Sequence, residues 1–339
     1  MALSLGINGF GRIGRMVLRI AAEQPERFEI RGINLRKADT HYMSYLMRFD
    51  SVFGRFPGEI EEMENGLRIN GREIKVFSES ETAAIPWDDC GAEYIIESTG
   101  AFNTTEQAGG HLLHGAKKVI LTAPAKDEET PTYVMGVNNT EYDPKFDVVS
   151  NASCTTNCLA PLAKVLHTHF GIEQGLMTTI HAATSKQKPI DARAGRDYRT
   201  GRSVFNNIIP STTGAAKACA LVIPSLKGKL TGMSFRVPTN DVSVVDLTAR
   251  LSTPTTYQAI CDAVEEASCT YMKGIISYIK DEIVSSDMRG DTHTCILDEN
   301  AGIMLDSTFV KLIAWYDNEW GYSNKVLDLA EYMAKVDAK

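Results

Sequence analysis

The feature that most constrains this chain lies at its start. Gly9-Phe10-Gly11-Arg12-Ile13-Gly14 is a G-x-G-x-x-G run between two unlike segments. Leu3 to Ile7 before it is a short apolar run, Arg15 to Ala22 after it has helical composition, and a second strand is expected at Phe28 to Ile33. The first 34 residues therefore read as one β-α-β unit. Such a unit commits a chain to a parallel sheet covered by helices, with few topologies left to it. Glycines at Gly9, Gly11 and Gly14 let the backbone approach a pyrophosphate, and the helix N-terminus offers free N–H groups with partial positive charge. The plainer reading is a tight strand–helix turn with no ligand. The second strand runs out as Ile33-Asn34-Leu35-Arg36-Lys37, without the acid that would bind adenosine ribose hydroxyls. An acid there favours NAD, and a nearby Arg accepts a 2′-phosphate, so this strand end leaves NADP or dual use open beside NAD.

Further along, Gly66 to Phe77 reads as a hairpin, because Asn70-Gly71 separates two alternating runs and suits a type I′ turn. Strand–helix alternation continues through Tyr94–Glu97, a helical segment near 104–114, and Lys118–Thr122. This half predicts a mostly parallel, doubly wound sheet. After about residue 150 the texture changes. Ala160 to His169 reads as helix and Leu176 to His181 as strand, followed by a long polar segment from Ala182 to Asn206. Unstructured segments of that length tend to be functional. Lys229–Val237 and Val242–Leu251 read as long strands, and Tyr322 to Lys339 as a closing helix.

Bulk properties exclude several classes. The net charge of −8 and the absence of a Lys/Arg run argue against a nucleic-acid partner. No apolar stretch reaches the ~18 residues needed to span a bilayer, so no membrane partner is expected. The start, Met1-Ala2-Leu3-Ser4-Leu5, has no basic n-region of a signal peptide, and seven cysteines without a CxxC pair suit a reducing compartment. A cytoplasmic location and no metal site are the expectation.

The chemical signal is Ser150-Asn151-Ala152-Ser153-Cys154-Thr155-Thr156-Asn157-Cys158, small polar residues ahead of an apolar helical run. Cys154 at a helix N-terminus gains thiolate character, and a neighbouring imidazolium would add to it. Cys158, one turn deeper on the same face, reads as a buried structural thiol. Among seven histidines, His111, His114, His167 and His169 fall on expected helices as surface residues, and His41 and His293 have no chemical neighbours. His181 differs: it closes an apolar strand and opens the polar loop, where catalytic groups concentrate. A satisfied core histidine is the competing reading. Thr184, the turn Ser211-Thr212-Thr213-Gly214 before Ala215–Ala220, and Arg236 are candidate anion ligands.

Together these segments resemble the glyceraldehyde-3-phosphate dehydrogenases through essentially the whole chain. The strongest pieces are Ile7 to Arg15, Ser150 to Pro161, His181-Ala182-Ala183-Thr184, Ile208 to Ala218, Phe235 to Pro238 and Trp315 to Ser323. The resemblance implies a Rossmann-type doubly wound nucleotide-binding domain over 1–153 and 320–339. It also implies an α+β catalytic domain over 154–319 with a mixed, largely antiparallel sheet. It implies Cys154 as nucleophile toward the aldehyde, His181 as its base, and inorganic phosphate as the group that releases the acyl product. Thr184 and Arg236 would hold the substrate's phosphate; Ser153, Thr155, Thr213 and Gly214, with Arg199 nearby, would hold the attacking one. Beyond the glycines, Arg12, Ile13, Leu35, Thr99, Thr122, Asn318 and Tyr322 would serve the cofactor, and the assembly would be a homotetramer. Leu35 stands where NAD-preferring members carry Asp, and Arg193 where such members often carry Pro. The alternatives are a sister enzyme acting on erythrose 4-phosphate and an added surface-binding role.

Overall fold

A computed structural model describes residues 2–195 and 197–339. Met1 of the N-terminal segment and Arg196 within the polar loop lie outside the described residues.

The chain divides into two compact units: Met1–Tyr133 with Glu141–Ala152 and Ser323–Lys339, and Val134–Thr140 with Ser153–Tyr322. The first is built on an eight-stranded sheet in the spatial order Val148–Ser150, Lys118–Leu121, Tyr94–Glu97, Leu3–Asn8, Phe28–Asn34, Arg72–Phe77, Gly66–Ile69, Ile60–Met63. The first six run parallel, and the last two join by antiparallel pairing. Their central residues are apolar on both faces, with Leu5, Ile7, Ile33, Ile95, Ile96, Val119 and Ile120 fully buried, as a doubly covered parallel sheet requires. Asn70 and Gly71 take φ of 49° and 79°, the left-handed pair of the expected type I′ turn. Chain order reverses on either side of Leu3–Asn8. The crevice outside the carboxyl ends of that strand and Tyr94–Glu97 is therefore the position where such sheets take a ligand.

The second unit holds a seven-stranded mixed sheet in the order Ile209–Thr212, Leu230–Val237, Ile172–Ala182, Ser243–Leu251, Phe309–Tyr316, Cys295–Asp306, Ile276–Ile279. Two of its six pairings are parallel and four antiparallel. The helix Cys154–Phe170 buries Cys158, Leu159, Leu162, Val165 and Leu166 completely. It starts six residues before the apolar run, because Ser153 caps it by accepting from the Thr156 N–H at 3.1 Å. Gly171 ends it with φ of 68°. Among the described residues of the Ala182–Asn206 segment, past the strand end at Ala182, the structure finds a short 3-10 turn, Tyr198–Gly201, and an isolated bridge between Lys188 and Ser203. No helix is long and apolar enough to cross a membrane among the described residues.

Candidate active site

In the first unit the three motif glycines do three different things. At Gly14 an added Cβ would lie 2.2 Å from the Gly9 carbonyl oxygen, so only glycine lets the helix seat against the loop. Gly9 has φ of 101°, and a Cβ there would crowd the Thr99 amide at 2.9 Å. At Gly11, the N-cap of Arg12–Glu23, a Cβ would meet nothing within 4 Å. That open space above a helix N-terminus fits a pyrophosphate. A cleft of about 390 Å³ opens at this point, lined by Gly9, Gly11, Leu35, Thr99, Arg36, Glu79 and Glu81 among others. Arg12 and Ile13 form the first helical turn, and Arg12 makes a two-pronged ion pair with Asp50. That guanidinium, with the Val52 and Phe53 amides, outweighs burial and holds the Asp50 carboxyl down to about 2. Thr122 is not on the cleft wall; its amide and hydroxyl both donate to the Glu97 carbonyl.

A buried polar network that the sequence reading missed supports the cleft. Glu97, 2% exposed, accepts from the Thr99 amide at 2.8 Å, the Thr99 hydroxyl, Asn8 Nδ2 at 2.6 Å and His111 Nε2 at 3.1 Å. His111 Nδ1 accepts from Trp87 Nε1 at 3.0 Å, which places the ring proton on Nε2. His111 is 0% exposed, so the expectation of a surface histidine is overturned. Its short 3-10 segment has no periodicity to betray burial, and its partners stand 14 and 24 residues away. His41 and His293 also differ from expectation: Glu62 lies 2.9 Å from the first and Asp291 2.7 Å from the second.

In the second unit Cys154 is the first residue of its 17-residue helix, and its Sγ lies 3.5 Å from His181 Nε2. His181 is 4% exposed, at the end of Ile172–Ala182, with the Tyr316 ring packed edge-on at 5.9 Å. Burial, and then the Arg236 charge, hold the imidazole neutral down to about pH 3. The cation facing Cys154 is Arg236, which pulls the thiol pKa down against burial, the stronger effect, which pushes it up. Arg236 and His181 are register partners on adjacent parallel strands, so their side chains share a face.

The remaining candidates take these places. Ser153 is the helix cap. Thr155 shares a 2.8 Å hydrogen bond with the Tyr316 hydroxyl, which also bonds Thr179 at 2.9 Å. Thr184 donates to Gln187 Oε1 at 2.9 Å. Thr213 accepts from the Ala215 amide, and Gly214 caps the helix Ala215–Val222 with open space where a Cβ would stand. Arg199 and Arg193 are exposed on the polar loop. Asn318, 5% exposed, accepts from the Ser243 hydroxyl at 2.6 Å, and the same hydroxyl accepts from the Ala182 amide at 3.0 Å. Ser243 thus fixes both Asn318 and the residue after His181. No local pattern flags it, since Asn318 is 75 residues away. Tyr322 is 2% exposed near the start of Trp320–Asp337. No group of three or more His, Cys, Asp or Glu is arranged to hold a metal among the described residues.

Comparison with known proteins adds two family matches. Residues 3–105 match the model described as "Glyceraldehyde 3-phosphate dehydrogenase, NAD binding domain", and residues 153–318 its "C-terminal domain". The chain is 57% identical over 338 residues to a glyceraldehyde-3-phosphate dehydrogenase of Claviceps purpurea, covering 100% of this chain and 99% of the relative. It is 55% identical to one of Podospora anserina with the same coverage. It is 54% identical to the cytosolic one of Chlamydomonas reinhardtii, over 99% of this chain and 98% of the relative.

Proposed function

Since the chain belongs to the glyceraldehyde-3-phosphate dehydrogenase family, we propose that Cys154 and His181 carry out its phosphorylating oxidation of an aldehyde phosphate. The chain is an NAD-dependent oxidoreductase of glyceraldehyde 3-phosphate. The observation that carries the residue assignment is the 3.5 Å approach of Cys154 Sγ to His181 Nε2 at a helix N-terminus. His181 takes the thiol proton as Cys154 sulfur bonds to the aldehyde carbon, and the proton passes to the new alkoxide. His181 then accepts that hydroxyl proton as hydride leaves the same carbon, and a thioester remains on Cys154. NAD, when bound, supplies the hydride acceptor. Inorganic phosphate attacks the thioester carbon, the C–S bond breaks, and Cys154 regains its proton as the acyl phosphate departs. An imidazole suits these steps because its neutral form accepts a proton and its charged form returns one.

Arg236 and Thr184 are assigned to the substrate's phosphate, and Ser153, Thr155, Thr213 and Gly214, with Arg199, to the attacking one. Gly9, Gly11, Arg12, Ile13, Gly14, Leu35 and Thr99 are assigned to the dinucleotide, with Thr122, Asn318 and Tyr322. Glu79 and Glu81 on the cleft wall supply negative charge against a 2′-phosphate that Leu35 does not, which supports NAD over NADP. Leu176, Ile303 and Leu305 stand exposed on strands of the second sheet, apolar surface of the kind that assembly covers, and support a homotetramer. The relative named cytosolic supports a cytosolic location. The relatives' names do not favour the erythrose 4-phosphate alternative. The test is formation of reduced nicotinamide from NAD with glyceraldehyde 3-phosphate or erythrose 4-phosphate, each with and without phosphate. Phosphate-dependent turnover with a higher kcat/KM for the three-carbon aldehyde is expected. A higher value for the four-carbon one would reverse the substrate assignment.

A further inference from the structure

The sheet of the first unit carries a second hollow, at the far end from the dinucleotide cleft. Leu18, Ala21 and Ala22, in the later turns of the helix Arg12–Glu23, form its wall. Phe28 and Ile30, with Ile69 and Ile74, form its floor on three adjacent strands. All of these but Ala22 are buried, and the space between them is about 260 Å³. Phe28 opens the strand whose last residue, Asn34, lines the dinucleotide cleft, so the two sites stand about 20 Å apart. The hollow exists because two consecutive alanines end at Cβ above a floor of large apolar side chains. Walls of this kind give water few hydrogen-bond partners, so an alkyl chain is favoured over water there.

The rim of the hollow offers donors that the protein itself hardly uses. Arg72 is the register partner of Ile69 and stands two residues before Ile74, so its side chain leaves the sheet on the face those two share. It is exposed and makes no ion pair among the described residues. Its one hydrogen bond is a long 3.4 Å contact from Nη1 to the Phe28 carbonyl oxygen. Asn70 spends its Oδ1 on the Glu59 amide at 2.9 Å, which leaves Nδ2 as a further donor. Glu29, the carboxylate in the lining, is already paired with Arg31 at 2.8 Å. An apolar hollow with a guanidinium and an amide at its rim, and its acceptors occupied, matches a ligand with an alkyl tail and an anionic head.

We propose that this hollow is a binding site for an aliphatic monocarboxylate, with the tail against Ile30, Ile69 and Ile74 and the carboxylate on Arg72. A carboxylate suits the guanidinium because two parallel N–H donors meet two oxygens. At roughly 30 Å³ per heavy atom the space takes about eight or nine of them, a tail of medium length. A nucleotide or sugar is a poor match, since the floor presents only hydrocarbon to its hydroxyls. The site stands apart from Cys154 and from the dinucleotide cleft, and its failure would leave the catalytic assignments untouched.

The probe is octanoate, with octanol and octylamine as controls that carry the same tail. The full chain, labelled with carbon-13 in its isoleucine δ-methyls, is read by NMR, and Ile30→Val, Ile69→Val and Ile74→Val identify the three signals. Octanoate should shift those three with a Kd on the order of 1 mM and leave Ile172 and Ile260 of the second unit unmoved. Octanol and octylamine should bind about tenfold more weakly, and Arg72→Gln should weaken octanoate by about the same factor. Ala22→Phe, which fills the hollow, should abolish the shifts. Turnover with NAD, expected unchanged in both variants, shows that they are folded. Arg72→Gln alters an exposed side chain and carries the test should Ala22→Phe fail to fold. If the three methyls do not move, or still move in folded Ala22→Phe, the site is overturned. Equal affinity for octanoate and octanol, or equal affinity of wild type and Arg72→Gln for octanoate, overturns the carboxylate assignment.

Discussion

His111→Ala should be among the most damaging single changes far from the reacting thiol. The ring is 0% exposed, joins Trp87 Nε1 at 3.0 Å to Glu97 at 3.1 Å, and lies beside the buried cluster of Trp87, Ile95 and Ala108. Truncation strands the indole N–H, which costs ~1–3 kcal/mol, and removes a hydrogen bond to a carboxylate, worth ~1.5–3 kcal/mol. The sum is about 2.5–6 kcal/mol before any cavity is counted. At about 2 °C per kcal/mol for a chain this long, Tm should fall roughly 5–12 °C. Glu97 also accepts both the amide and the hydroxyl of Thr99, so freeing one side of it should loosen the cleft wall. KM for NAD should rise about threefold to tenfold, the equivalent of ~1 kcal/mol of lost preorganisation. His111→Gln can both accept and donate, and should lose about half as much stability. Calorimetry of both variants, with NAD titrations of the folded protein, checks this. A Tm drop for His111→Ala below about 2 °C with unchanged KM would refute the reasoning.

Two further predictions follow, one from a buried carboxylate and one from a charge introduced at the cleft. Asp241 is 4% exposed, and burial, then the charges of Asp317 and Glu319, push its pKa up to about 8. A raised folded pKa means a contribution present below the unfolded value of 3.8 and lost as pH rises through about 8. Asp241→Asn should therefore raise Tm more at about pH 8 than at about pH 5; thermal scans at both would show an error of sign if the larger gain came in acid. At the cleft, Leu35→Asp should raise the NAD/NADP ratio of kcat/KM about tenfold, the effect of ~1.4 kcal/mol of short-range repulsion. An unchanged ratio would place the 2′ position away from this residue.

Much of the architecture was legible because local and global signals agree. The G-x-G-x-x-G turn, the Asn70-Gly71 hairpin and the apolar runs each specify an element through one short stretch of chain. The start of the helix at Cys154 was harder to place. Its first turn is Cys-Thr-Thr-Asn, poor helix formers whose conformation comes from the Ser153 cap and from burial of Thr155, Thr156 and Asn157. The relations that failed to show in the sequence are long-range and polar. His111 reads as solvated until the fold brings Trp87 and Glu97 to it, and Ser243 reads as one more strand residue until Asn318 arrives. Nothing in composition reports that the Arg236 charge faces Cys154, because that follows from strand register.

The central claim is that Cys154 carries the acyl group. Protein mixed with glyceraldehyde 3-phosphate and NAD in the absence of phosphate, then quenched in acid and mapped by peptide mass, tests it directly. The account predicts a phosphoglyceroyl thioester on the peptide bearing Cys154, absent from Cys154→Ser and discharged when phosphate is added before the quench. Acylation of Cys158 or another of the seven cysteines, or reduced nicotinamide formed with no acyl-enzyme, would contradict it.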